Sequence, residues 1–443
     1  MSNLKKDSLK TCITSATVVF LFFKLSAQSY TSYFTGSNLD VVSNSKGGIC
    51  LMGGASEDDE AMKWFLDRAN GGDILVLRTT GADGYNNYMF SSLGITVNSV
   101  ETIVCNTSAA STDPYVIQKI NQAEAIWFAG GDQWDYVSFW RNTPLNVAIQ
   151  EAINQRNIAV GGTSAGMAIQ GEYYFSAQNG TVTSSTALNN PYSASVTVDG
   201  VPFITNSSLG ETITDTHFDN PDRKGRLTTF LARIYTDFGV KAKAIACDEY
   251  TAVCIGTDGI AKVYGGYPTY DDNAYFIQTN CDIGHPVPET CVQNTALTWT
   301  TGGEALLAYQ IKGKIDGSGY FDLNTWSTGS GGTWFAWDAS SGIFSQQSIS
   351  NPFCAGFVEQ QSEVKPLLYP NPVSKNLTLE FEETQLQGLQ IQFFDILGKL
   401  LPTAETTINE KHLHIDISSF DPGIYILKLE LDGKNFNYSV VKQ

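Results

Sequence analysis

The stretch Gly162-Thr163-Ser164-Ala165-Gly166 fits Gly-x-Ser-x-Gly. A short apolar run, residues 158–160, leads into it and a helical pattern follows. At a sharp strand-to-helix turn bulky neighbours clash, so glycines and alanine flank the serine. The turn exposes the hydroxyl, and the next N–H, that of Ala165, can help stabilise an oxyanion. A serine nucleophile also needs a base. The chain has four histidines. His412 and His414 lie near the C-terminus, and His285 lies in a loop between two cysteines. His217, in "ETITDTHFDNPDRKGRLTTF", is the general base by elimination.

The acid that would orient that histidine is left open. The carboxylates between the serine and the histidine are Glu172, Asp199, Glu211 and Asp215. Asp215 is two residues before His217, which on a strand puts both side chains on one face. Glu172 and Glu211 are further choices, and an absent acid is another. Asp248-Glu249 ends an apolar strand; such a carboxylate pair could serve acid–base work, but the favoured reading is that it packs a turn or caps a neighbouring element. Trp326, Trp334, Phe335 and Trp337 alternate with small residues; they could stack on a sugar or peptide, but the favoured reading is a small local core. No Cys-x-x-Cys or His-x-x-x-His spacing suggests a metal site, and nothing calls for an organic cofactor.

Short apolar strands separated by amphipathic helices position these residues. "GICLMGGA", "DILVLRTTG", "ITVNSVETIVC", "AIWFAGGDQ" and "IAVGG" read as strands. "SEDDEAMKWFLDRAN", with Ser56 as N-cap, "DPYVIQKINQA" and "TPLNVAIQEAINQR" read as helices. The alternation predicts an α/β fold, a doubly wound and mostly parallel sheet with helices on both faces. Functional groups in such sheets gather beyond the carboxyl ends of the strands, where "GGDQ" and "GGTSAG" fall. Residues 181–210 read as loops or short strands, and residues 302–350 as β-rich decoration. From about residue 359 the texture turns to alternating strands with a "DGK" hairpin turn, which predicts a small C-terminal β-sandwich.

The 443 residues are too many for one ordinary core, and 42% hydrophobic with 12% aromatic composition suits packed domains. A net charge of -18 repels phosphate backbones and argues against nucleic acid as partner. Lys5, Lys6 and Lys10, then "CITSATVVFLFF", then small residues near Ala27, read as an export signal over residues 1–27. Its apolar run is too short to span a bilayer, and no later run is long enough. Eight cysteines become an odd number once cleavage removes Cys12, so at least one thiol stays unpaired. Cys281 and Cys291 bracket a loop and are the expected disulfide, whereas Cys247 and Cys254 read as buried thiols.

"GGTSAG" with "TDTHF", the following arginines, "FAGGDQ" and "CDEYTAV" resembles the cyanophycinase and dipeptidase E family of serine peptidases, over about residues 47–264. The resemblance implies a class I glutamine amidotransferase-like fold, Ser164 as nucleophile and His217 as base. It implies a Gly131 N–H in the oxyanion hole with that of Ala165, and Asp132, Gln133, Asp215, Arg223 and Arg226 about the substrate. The sequence departs from the family at Thr216, where a glutamine is usual, and keeps only Arg223 and Arg226 of three closely spaced arginines. "YPNPV", "DILGKLL", "SFDPGIYILKL" and the final "VVKQ" resemble the C-terminal sorting domain of type IX secretion. Together these imply a signal peptide (1–27), a cyanophycinase-like hydrolase domain (28–358) and a sorting domain (366–443). The expected protein is secreted or held at the cell surface. It cleaves a peptide or isopeptide bond, possible substrates including aspartyl-arginine units, and engages the type IX machinery. Two alternatives are an inactive member that binds peptides or glycans, and a hydrolase of other amides or esters.

Overall fold

The computed structural model describes residues 28–352, 366–381, 389–395, 399–402, 405–409, 411–431 and 434–443. The expected export signal lies outside them. The chain divides into two compact units, Met1–Phe353 and Cys354–Gln443.

The first unit opens with β1 (Thr31–Gly36), β2 (Ile49–Met52), α1 (Asp59–Arg68), β3 (Asp73–Arg78) and β4 (Ser99–Val104). Then come α2 (Pro114–Gln122), β5 (Ala125–Phe128), α3 (Gln133–Trp140), α4 (Pro144–Asn154), β6 (Ala159–Thr163) and α5 (Ala165–Ala168). Pro114 and Pro144 occupy first-turn positions, where a missing N–H costs nothing. The cap of α1 is Asp58, not the expected Ser56: its carboxylate accepts from Ala61 N–H at 2.9 Å. The helix starts there because Ala61, Met62, Phe65 and Leu66 must face the core together.

Next follow β7 (Tyr174–Phe175), α6 (Ser184–Asn189), β8 (Val198–Asp199), β9 (Thr212–Asp215), α7 (Lys224–Phe238), β10 (Lys243–Cys247), β11 (Ala252–Ile255) and β12 (Ile260–Tyr264). The unit ends with β13 (Asn273–Thr279), β14 (Leu306–Lys312), β15 (Gly319–Asp322), β16 (Gly329–Ser330), β17 (Gly332–Ser340) and β18 (Ile343–Ser348). α6 corrects the loop-or-strand reading of residues 181–210, since the Thr183 hydroxyl caps Thr186 N–H and starts a helix there.

The strands form a large mixed sheet in the order β1-β4-β3-β5-β6-β2-β11-β12-β15-β16. Its centre, β4-β3-β5-β6-β2, is parallel and its flanks are antiparallel. Alternate residues of these strands serve opposite faces. Cys50, Met52, Ile74, Val76 and Trp127 pack under α1. α2 and α4 pack on each other outside that cluster, and α2 also meets β3.

A second, six-stranded sheet, β18-β17-β14-β13-β10-β9, was not foreseen. The region expected as decoration supplies β14, β17 and β18 to it, beside strands that end at the site described below. Its core joins α7 (Leu227, Phe230, Leu231) to Tyr275, Ile277, Leu306 and Trp337. Trp326, Trp334 and Trp337 are buried, and Phe335 is half-buried, as a local core requires. The expected Cys281–Cys291 bond is absent: Cys281 is disulfide-bonded, but Cys291 is a free thiol drawn into this second core beside Leu297 and Trp299.

In the second unit β19 (Leu367–Tyr369), β20 (Asn376–Glu380), β23 (His412–Asp416) and β22 (Glu405–Asn409) form one antiparallel sheet in that order. β21 (Gln390–Asp395), β24 (Gly423–Leu431) and β25 (Lys434–Lys442) form another. One hydrophobic cluster draws on both, with Leu377, Leu379, Leu413 and Ile415 from the first and Phe393, Leu427, Leu429 and Val440 from the second. In β24 buried Tyr425, Leu427 and Leu429 alternate with exposed Ile424 and Ile426.

Candidate active site

Ser164 sits between β6 and α5 with φ 52° and ψ -116°, a backbone conformation that L-residues rarely hold. The glycines of the motif permit the turn. A Cβ on Gly166 would lie 2.0 Å from Phe128 O, and one on Gly162 would lie 2.6 Å from Gly166 O. Ser164 N–H is held by Met52 O of the neighbouring strand at 3.1 Å.

His217 follows β9 and also has a positive φ, 47°. Its N–H donates to Gly53 O at 2.8 Å, and the ring rests on Gly54, where a Cβ would come within 2.4 Å of it. Ser164 Oγ lies 2.8 Å from His217 Nε2. His217 Nδ1 lies 2.6 Å from Glu249 Oε1. Glu249 stands just past β10, at the crossing from the second sheet to β11 of the first. Its other oxygen accepts from Asn220 Nδ2 at 3.3 Å, and its N–H donates to Asp219 Oδ1 at 2.9 Å. Burial opposes ionisation of Glu249, but the hydrogen bonds from His217 and Asn220 outweigh it, and its carboxyl titrates below the usual range. A carboxylate at Nδ1 favours the tautomer with the proton there, which leaves Nε2 to accept from the serine.

Glu249, which the sequence reads as a turn residue, lies beyond the interval between serine and histidine in which an orienting acid is expected. None of the acids in that interval is the one hydrogen-bonded to His217. Glu172 accepts from Glu211 N–H at 2.7 Å. Glu211 lies with positive φ just before β9. Asp199 pairs with Arg141 at 2.6 Å. Asp215 turns away from the imidazole into a two-pronged pair with Arg226, Nε to Oδ2 at 3.0 Å and Nη2 to Oδ1. Both partners are buried.

Ser164 and His217 open onto a cavity of about 300 Å³, with Gly131, Asp132, Gln133, Thr216, Arg223 and Arg226 in its lining. Asp215 lies behind this wall and acts on it through Arg226. The Asp132 carboxylate caps α3 by accepting from Trp134 N–H at 2.9 Å. Gln133 Nε2 donates to Phe175 O at 3.3 Å. Ala165 opens α5, so its N–H lacks an intrahelical acceptor. Among the described residues the Arg223 guanidinium makes one hydrogen bond, from Nη1 to Thr216 O at 2.9 Å. Burial, then the neighbouring Arg226, lower its guanidinium to about 10. Two arginines therefore face one partly enclosed space, and only Arg226 has a carboxylate partner.

Residues 84–259 match Peptidase family S51, and residues 367–443 match the secretion system C-terminal sorting domain. Over 259 residues the chain is 25% identical to a cyanophycinase of Synechococcus elongatus, covering 55% of this chain and 75% of that one. It is 24% identical over 241 residues to a cyanophycinase of Geminocystis herdmanii, covering 51% and 83%. A solved peptidase from an acI-B1 actinobacterium aligns at 16% identity with a TM-score of 0.38, over 52% of this chain and 91% of that one. Among the described residues no helix is long and apolar enough to cross a membrane. The sorting domain indicates export, to the cell surface or beyond. Around Ser164 and His217, then, the chain carries a Peptidase family S51 domain, and at its C-terminus a secretion system sorting domain.

Proposed function

We propose that this protein is an exported serine peptidase. Ser164 is the nucleophile, His217 the general base, and Glu249 the acid that orients the imidazole and stabilises its charged form. Ser164 Oγ attacks the scissile carbonyl as its proton passes to His217 Nε2. The tetrahedral oxyanion lies against the N–H groups of Ala165 and Gly131. His217 then returns the proton to the leaving amine, and water repeats the cycle on the acyl-enzyme. The continuous hydrogen-bond chain from Ser164 through His217 to Glu249 carries this reading. The inactive, merely ligand-binding alternative rested on a missing acid, and Glu249 removes that ground.

The substrate presents a carboxylate beside the scissile bond. Arg223, half-buried with most of its side-chain donors uncommitted, gains most from such a partner, and Asp215 holds Arg226 in place next to it. The relatives named cyanophycinase make aspartyl peptides, including aspartyl-arginine units, the first substrates to try. An export signal over residues 1–27 and a C-terminal β-sandwich read by the type IX machinery complete the proposal.

The test is hydrolysis of cyanophycin and of aspartyl and isoaspartyl dipeptides by the wild-type protein and Ser164→Ala. Turnover lost in the variant is expected, together with labelling of Ser164 by a fluorophosphonate probe. An unlabelled serine and no turnover on any member of the panel would overturn the proposal.

A further inference from the structure

Cys50 on β2 and Cys254 on β11 are directly opposite in an antiparallel pair. Along a strand the peptide groups of successive residues point alternately to the two neighbours. Gly48 O and Met52 O take their bonds from Val160 N–H and Ser164 N–H, at 3.0 and 3.1 Å, on the β6 side. Even-numbered residues of β2 thus bond toward β6, and Cys50 with them. On β11 the same alternation runs from Gly256 N–H, which donates to Ile260 O toward β12 at 3.0 Å, so Cys254 bonds away from β2. Cys50 and Cys254 therefore form a non-hydrogen-bonded pair, the position at which opposing Cα atoms come closest, about 4.5 Å. That separation lies within the range disulfides span, about 4.4–6.8 Å. The two Sγ atoms are 3.8 Å apart, and both thiols are free and fully buried.

We propose that Cys50 and Cys254 are joined as a cross-strand disulfide in the exported protein. The oxidant is a disulfide, that of an exported thiol oxidoreductase or of oxidised glutathione. One cysteine thiolate attacks a sulfur of that disulfide, whose other sulfur leaves as a thiolate. The second cysteine thiolate then displaces the remaining donor sulfur and closes the bond. The pair gives up two electrons and two protons, and the donor ends as two thiols. Closure precedes the docking of α1, which covers both sulfurs in the finished core. Its effect falls on the site. The end of β2 holds Ser164 through Met52 O, the residue after it holds His217 through Gly53 O, and β11 begins shortly after Glu249.

The test is peptide mapping of the exported protein, denatured in alkylating agent without reductant and analysed by mass spectrometry. Cys281, disulfide-bonded in the structure, reports that the sample is oxidised. The expected result is a cross-linked peptide pair holding Cys50 and Cys254, lost on reduction and absent in Cys254→Ser. Cys50 and Cys254 both alkylated while Cys281 is oxidised would overturn the proposal, as would Cys50 joined to Cys247. Thermal unfolding gives a second readout. Reductant should lower the Tm of wild type by roughly 5 °C more than that of the Cys50→Ala/Cys254→Ala variant. Equal shifts in the two proteins would count against the bond.

Discussion

Glu249 reaches His217 from beyond it in the chain, and in the proposed mechanism it fixes which ring nitrogen carries the proton. Glu249→Gln keeps the shape but replaces the carboxylate with an amide that can present either a donor or a weaker acceptor. We expect kcat to fall by roughly 10²- to 10⁴-fold with KM nearly unchanged, read from steady-state kinetics on whichever substrate the wild type cleaves. The neighbouring Asp248 answers to pH instead. Burial lifts its carboxyl to about 7, opposed by the hydrogen bond from Asn273 Nδ2 and reinforced by Asp219. Its Oδ1 is buried without a partner. A carboxyl with a raised folded-state value favours the native state fully below its unfolded value, about 4, and that contribution fades as pH climbs through about 7. The wild-type Tm should therefore fall between pH 5 and 8 more steeply than that of Asp248→Asn, and parallel curves would contradict this. The serine was legible because only small residues fit around such a turn, and the histidine because so few exist. Glu249 was hidden because a carboxylate ending a strand looks the same whether it closes a turn or holds an imidazole. What sets it apart is Gly53-Gly54, two glycines without which the His217 ring and the Asp248 backbone would collide with β2's extension.

At the scale of elements, the buried pair Asp215–Arg226 ties the end of β9 to α7 and sets one wall of the cavity. Asp215→Ala leaves a guanidinium buried and unpaired, which should cost about 3–5 kcal/mol. The measurement is the urea midpoint at pH 7, and a loss below about 1 kcal/mol would mean the pair is solvated or replaced. The parallel centre of the first sheet was legible, since helices with caps and a 3.6-residue period punctuate its strands. The second sheet was not. Its central strands β10, β13 and β14 are buried on both faces along most of their length, so period-two alternation is erased there. The chain also leaves it after β10, visits the first sheet for β11 and β12, and returns at β13. Local pattern carries no trace of such an excursion.

For the whole molecule, the two units separate two tasks. Each has its own hydrophobic cores, and both family matches fall within single units. Removing residues 367–443 should leave the protein inside the outer membrane of its host, whereas the full chain reaches the surface or the medium. Cell fractionation with an antibody to the first unit checks this, and surface delivery of the shortened chain would contradict it. The composition signalled two domains, and the tail was readable because its alternating strands carry distinctive turn sequences. The first unit also has a temporal consequence. Ser164 follows a strand of one sheet, whereas His217 and Glu249 follow strands of the other, and Gly53 is the shelf where they meet. Under the proposed mechanism, a chain with only one sheet assembled would hold a serine with nothing to activate it. By the same mechanism, hydrolytic power would arrive only once the two sheets have closed on each other.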